Sequence, residues 1–224
     1  MTFSLVARCA RTGQFGAVVS SSSPAVAARC IRARAGVGSV ASQNVTDPAL
    51  GDRALNLMAS GASAQQALDI LCATAPHISY RQLALVDHEG RTAGYTGSGG
   101  LGVTGLALGH DAAAAGNLLA HAEVPAHILA AFNASEGPLA TRLLHAMKAG
   151  LRSGGEAGPV HSAGLLVVDA QTWPVVDLRV DWSEGDPITA LDALWVQFEP
   201  QVSSYTQRAL NPSQAPSYGV PGDA

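Results

Sequence analysis

Thr2 acquires two reactive groups on one residue if Met1 is cleaved. Methionine is removed from new chains when the next side chain is small, and threonine meets that condition. The chain would then begin with a hydroxyl and a free α-amine. An α-amine has an ordinary pKa of about 7.7–8.0, so near neutral pH a useful fraction is an unprotonated base. That base takes the hydroxyl proton, directly or through a water, and the oxygen attacks an amide carbonyl to form an ester. Many ordinary chains begin Met-Thr, so the weight rests on the residues next to it. Thr2-Phe3-Ser4-Leu5-Val6-Ala7 reads as a strand that starts at once, the rigid mounting such a nucleophile requires.

Asn117, in Gly116-Asn117, is the candidate donor to a developing oxyanion. A well-aimed side-chain amide contributes ~3 kcal/mol there; the alternative is a turn-forming Gly-Asn. Ser20, at the end of the returning strand, is a candidate to lie beside Thr2 and orient its amine, or is a strand-end serine. Gln43 is a candidate to bond substrate or to fix its own loop. Asp177, Arg179 and Asp181 alternate along a strand and so share one face. They form a clamp for a substrate carboxylate or a solvated ion-pair ladder. Arg34 is a further candidate for such a carboxylate. His161 reads as structural.

The elements that must position these residues are read from patterning. Phe15 to Ser21 reads as the strand returning after a turn at Arg11-Thr12-Gly13-Gln14. Ala35 to Ala41 is a second β-rich stretch with glycines that suggest bulges. Residues 49–74 read as two helices split at Gly61, the second opened by the Ser63/Gln66 capping box. Gln82–Val86 and Arg91–Tyr95 form a hairpin, and 97–105 a glycine-dense loop with a short strand. Two helices come next over 122–133 and 137–152, then strands 163–169 and 175–180, and a helix over 188–196. From 200 onward, Pro, Ser, Gln and Tyr suggest an extended tail, which could dock on a neighbouring subunit or cover a pocket. The domain is therefore expected over 1–199 and the tail over 200–224. Strands and helices come in blocks, which favours antiparallel sheets with segregated helices over a βαβ alternation.

Composition narrows the function classes. Of 224 residues, 47% are hydrophobic and 13% charged, a balance that excludes disorder. Net charge is -4, with no basic run, so no nucleic-acid partner is expected. No stretch approaches the ~20 apolar residues of a membrane span. The start does not read as a signal peptide, and three cysteines, Cys9, Cys30 and Cys72, fit a reducing cytoplasm. They lack metal-ligand spacing, and His121 and His127, six apart, fall on different faces of a helix. No P-loop, G-x-S-x-G or H-E-x-x-H is present, and Gly36-Val37-Gly38 is only a fragment of a nucleotide fingerprint. No metal and no cofactor are expected.

Several segments carry a resemblance in order along the chain. They are Thr2 to Arg8, Thr12 to Ser20, Ala33 to Gln43, Tyr80 to Asp87, Gly116-Asn117-Leu118-Leu119, His161-Ser162-Ala163 and Asp177 to Asp181. Over residues 2–195 the sequence resembles a bacterial family catalogued only as a domain of unknown function (ten-twenty-eight), itself similar to the N-terminal-nucleophile hydrolases. The resemblance implies an α+β fold, a four-layer αββα sandwich of two mostly antiparallel sheets. The resemblance does not settle a substrate; with Thr2 as nucleophile and Asn117 as oxyanion donor, the leading reading is an amide-bond hydrolase for a small molecule: an N-acyl compound, a cyclic amide or a short peptide. Ser42, Asn44 and the run Ser21-Ser22-Ser23 depart from the pattern. The single lysine, Lys148, lies far from the first strands, so lysine-assisted activation is not expected. The rival readings are a non-catalytic binding or assembly module on the same fold, and a peptidase. A homodimer is the expected assembly.

Overall fold

The computed structural model describes residues 2–220; Met1 and the last four residues of the predicted tail lie outside the described residues. Two fully antiparallel sheets form its middle layers. The first holds β1 (Thr2–Arg8), β2 (Phe15–Ser21), β7 (Gly105–Leu108), β8 (Ala112–Asn117), β9 (Ser162–Val168) and β10 (Pro174–Val180), in the order β10-β9-β2-β1-β8-β7. The second holds β3 (Ile31–Arg34), β4 (Gly38–Asn44), β5 (Arg81–Asp87) and β6 (Thr92–Thr96), in that order. Helices α4 (Val124–Asn133), α5 (Leu139–Arg152) and α6 (Pro187–Phe198) cover the outer face of the six-stranded sheet. Helices α2 (Ala49–Ala59) and α3 (Ala64–Thr74) cover the other sheet. The result is the αββα sandwich.

Strand alternation sorts each strand's side chains between two cores. In β1, Phe3, Leu5 and Ala7 pack beneath α4 and α5, while Val6 faces the second sheet. The core between the sheets is built largely from small residues, among them Ala17, Ala41, Ala84, Ala113 and Ala115. Small side chains on both faces let the layers approach closely. At the outer ends of the second sheet, the Ser63 capping box opens α3 as the pattern predicts. Burial alone would raise the Asp87 carboxyl, but bonds from Ala64 N, Arg91 and Glu89 N hold it below its ordinary value.

Four elements differ from expectation. Gly116-Asn117 is not a turn but the end of β8. Four consecutive alanines are poor strand formers, but a place between β1 and β7 overrides propensity. The β-rich stretch at 35–41 is a hairpin whose strands are β3 and β4, with 35–37 as its turn. A short helix, α1 (Val26–Cys30), enters the inter-sheet core at its open end. The expected extended tail is helical over α7 (Val202–Leu210), where Val202 packs against the core and Phe198 stacks on Tyr205 at 5.8 Å.

Candidate functional site

Thr2 and Ser4 share the β1 face that carries Val6, so both point into the space between the sheets. Thr2 lies directly opposite Asn117 on β8 and is 5% exposed. Its Oγ1 is 3.4 Å from Ser21 Oγ at the end of β2. The structure thus brings Ser21, not Ser20, against Thr2. Ser20 pairs with Phe3 across the strands, shares Phe3's helix-facing side and donates to the Ser162 carbonyl at 3.0 Å. A shift of one residue along a strand reverses the face, and a face cannot be read from the serine run itself.

Below Thr2, a chain of buried amides crosses from one sheet to the other. Gln82 Nε2 donates to the Gly116 carbonyl at 2.9 Å and to Thr96 Oγ1 at 3.0 Å. Those acceptors fix its orientation and leave Gln82 Oε1 to receive Gln43 Nε2 at 2.8 Å and Asn117 Nδ2 at 3.2 Å. Gln43 Oε1 then receives the Ser4 hydroxyl at 2.7 Å. Each amide is oriented by the one before it. At the end of the chain, Asn117 Oδ1 is buried with no hydrogen-bond partner among the described residues. One Nδ2 hydrogen bonds Gln82 at 3.2 Å; an amide nitrogen carries two.

The rim is made by backbone in the left-handed region. Asn44, just after Gln43, has φ 74°, and Leu118, just after Asn117, has φ 51°. Non-glycine residues held there cost on the order of 1 kcal/mol or more and need supporting contacts. Asn44 Nδ2 donates to the Tyr80 carbonyl at 2.7 Å, and its Oδ1 accepts from Leu101 N at 3.1 Å. Leu118 N and Leu119 N donate to the Leu101 and Val103 carbonyls. The glycine-rich loop between β6 and β7 is therefore stitched to the ends of β4 and β8. Val45, Tyr80, Leu101 and Val103 stand exposed along it.

The arginines lie elsewhere. Arg34 pairs with Gly38 at the far end of β3 and bonds Asn56. Gln43, which marks the Thr2 end, is five residues along β4 from Gly38, roughly 17 Å. Arg179 is held by Asp177 at 2.8 Å on β10, three strands from β1 or roughly 14 Å. Asp181 comes just after that strand and uses its carbonyl to accept Ala25 N. None of the three stands beside Thr2. His161 is stacked on Trp182 at 4.4 Å and bonded to the Ser183 carbonyl. His121 precedes α4 instead of lying on it, and its ring meets His127 edge-on at 6.3 Å. Among the described residues, no group of three His, Cys, Asp or Glu is placed to hold a metal ion, and no helix is long and apolar enough to cross a membrane.

Ser4, Gln82 and Glu156 are candidate site residues that the sequence did not single out, and Ser21 is marked there only as part of a serine run departing from the family pattern. For Ser4 and Gln82 a signal existed: each shares strand parity with residues of the inter-sheet core. Glu156 comes after two glycines in a connection without periodicity, yet is 5% exposed. Burial pushes its carboxyl up to about 7, opposed by the hydrogen bonds from Ser22.

The chain belongs to a family of unknown function, DUF1028, whose model matches residues 2–191. It is similar to the crystal structure of protein SPO2555 from Silicibacter pomeroyi, of the same family model, at 30% identity over 88% of each chain, with a TM-score of 0.82. The ancestral beta-subunit Anbu from Yersinia bercovieri aligns at 14% identity over 92% of this chain and 97% of that one, with a TM-score of 0.43, a likeness too distant to bear on function. No curated protein matches the chain.

Proposed function

We propose that this protein is an amide hydrolase of the N-terminal-nucleophile type, acting on a small molecule with Thr2 as the nucleophile once Met1 is removed. The observation that carries the reading is the setting of Thr2. It begins a central strand, points between the sheets, contacts Ser21 Oγ and faces Asn117. The α-amine takes the proton of Oγ1, and Oγ1 bonds to the carbonyl carbon. The second Nδ2 hydrogen of Asn117 meets the oxyanion. The C–N bond then breaks, and the leaving amine takes the proton from the α-ammonium. Water attacks the ester in the same way and releases Thr2. Gln43 and Gln82 hold Asn117 in place. The apolar rim of Val45, Leu101 and Val103 favours an N-acyl compound over a cyclic amide or short peptide. A homodimer is proposed from the commonness of two-fold assemblies alone, and a cytoplasmic location from the three unpaired cysteines.

A second reading, a non-catalytic binding module, is favoured by a cavity of about 670 Å³ lined by Arg8, Cys9, Arg11, Phe132 and Arg142. It lies at the Arg8 end of β1, roughly 20 Å from Thr2. Intact mass of untagged protein separates the two. A mature chain starting at Thr2, active on an N-acyl amide panel and inactive as Thr2→Ala, is the expected result. Retained Met1 in folded protein would overturn the hydrolase reading, because Thr2 would then have no free amine.

A further inference from the structure

The proposed hydrolysis leaves one buried acid unused. Glu156 lies between α5 and β9, and both its carboxylate oxygens receive Ser22 N, at 3.1 and 3.3 Å. Ser22 is the residue after Ser21, whose hydroxyl meets Thr2 Oγ1. Glu156 also forms a backbone bridge with Leu119, and Ala157 N donates to the Leu118 carbonyl at 3.0 Å. Leu118 and Leu119 directly follow Asn117, the partner of Thr2, so the Leu119 bridge and the Ser22 bond hold Glu156 at the Thr2 end of β1. Cleavage of Met1 leaves an α-amine at that same end of the strand.

The geometry points to Glu156 as the counter-ion of the mature α-amine, a positioning residue whose carboxylate orients the Thr2 nitrogen beside the Thr2 hydroxyl and pairs with the ammonium formed when that nitrogen takes the hydroxyl proton. This rests on Thr2 being the N-terminal nucleophile. A carboxylate within ion-pair reach favours the charged amine and raises its pKa. It also fixes the direction of the nitrogen, which a strand end alone leaves free to rotate. The other titratable groups at this end contribute differently. His161 is stacked on Trp182 and bonded to a carbonyl. Cys30 is buried, its thiol pushed up by that burial, with Sγ 3.5 Å from Thr46 Oγ1. Neither supplies a carboxylate to the amine, and Ser22 N orients Glu156 without neutralising it.

The test uses chain that begins at Thr2, released from an N-terminal fusion, with threonine labelled by ¹⁵N. The α-amine resonance is tracked against pH in the native protein, Glu156→Gln and Glu156→Asp, with circular dichroism confirming the fold. The expected result is a native midpoint above the ordinary 7.7–8.0. Glu156→Gln lowers it by about one pH unit or more, and Glu156→Asp lowers it less. The same midpoint in native and Glu156→Gln protein overturns the proposal. Should Glu156→Gln not fold, the native midpoint decides: a value at or below about 7.7 overturns it. The titration needs no substrate. Loss of hydrolysis in every assay, with the amine shift intact, would sink the hydrolase reading and leave the ion pair standing.

Discussion

Replacing Glu156 by Gln should change the shape of the stability-against-pH curve, not merely its height. In the chain that retains Met1, and so lacks a free Thr2 α-amine, the fold holds the Glu156 carboxyl at about 7, against an ordinary 4.5, because burial disfavours the charged form. The folded state therefore binds this proton more tightly than the unfolded state does. Its contribution is fully present below pH 4.5 and is lost as pH rises through about 7. Over that interval, at ~1.4 kcal/mol per pH unit, the loss amounts to about 3 kcal/mol at most. Glutamine imitates the protonated acid: it is neutral, similar in shape, and its oxygen still accepts from Ser22 N. Urea unfolding at half-unit steps between about pH 4.5 and 7.5 gives ΔG for both proteins. The difference between the curves isolates Glu156 from groups such as Asp87, whose depressed pKa acts in the opposite direction at lower pH. Glu156→Gln should be similar to the native protein at the acid end and more stable by up to about 3 kcal/mol at the neutral end. Parallel curves across the range would refute the reasoning, since they would mean that Glu156 titrates normally in the folded chain.

Gln82→Leu should cost about 3 kcal/mol or more in denaturant unfolding, because it leaves Gln43 Nε2, Asn117 Nδ2 and the Gly116 carbonyl buried without this partner. Ser21→Ala should slow acylation of Thr2 by roughly tenfold, the worth of one hydrogen bond, whereas Ser20→Ala, on the other face, should leave that rate unchanged. Gly97→Ala would place a methyl 2.1 Å from the Ser79 carbonyl oxygen, so the rim loop must move; a melting-temperature loss corresponding to ~2 kcal/mol is expected. Asp87→Asn should destabilise by about 2 kcal/mol at neutral pH, with the gap to native closing as acid protonates the native carboxylate.

Much of this protein is legible in one dimension. The strand from Thr2, the hairpin at 82–95, the Ser63 capping box and the helix pairs arise from periodicity and local bonding, which act over a few residues. Thr2 itself is visible because its chemistry depends on the residue and its place near the start, not on distant partners. Asn117 stands out as an isolated polar residue between glycine and leucines, and Gln43 as the long amide of a short polar run after an apolar, glycine-containing stretch. Other features were decided only by three-dimensional packing. An alanine run has no strand preference until β1 and β7 supply its hydrogen bonds. Which serine meets Thr2 depends on register, and one residue reverses the face. Arg34, Arg179 and Asp181 have suitable chemistry, but strand order puts them at the wrong end or on the wrong strand. Glu156 is an ordinary loop acid until residues 118–119 and the turn after β2 close around it. Local sequence sets which backbone shapes are cheap; burial, charge and orientation at a site are set by segments more than a hundred residues apart, whose meeting no short-range pattern records.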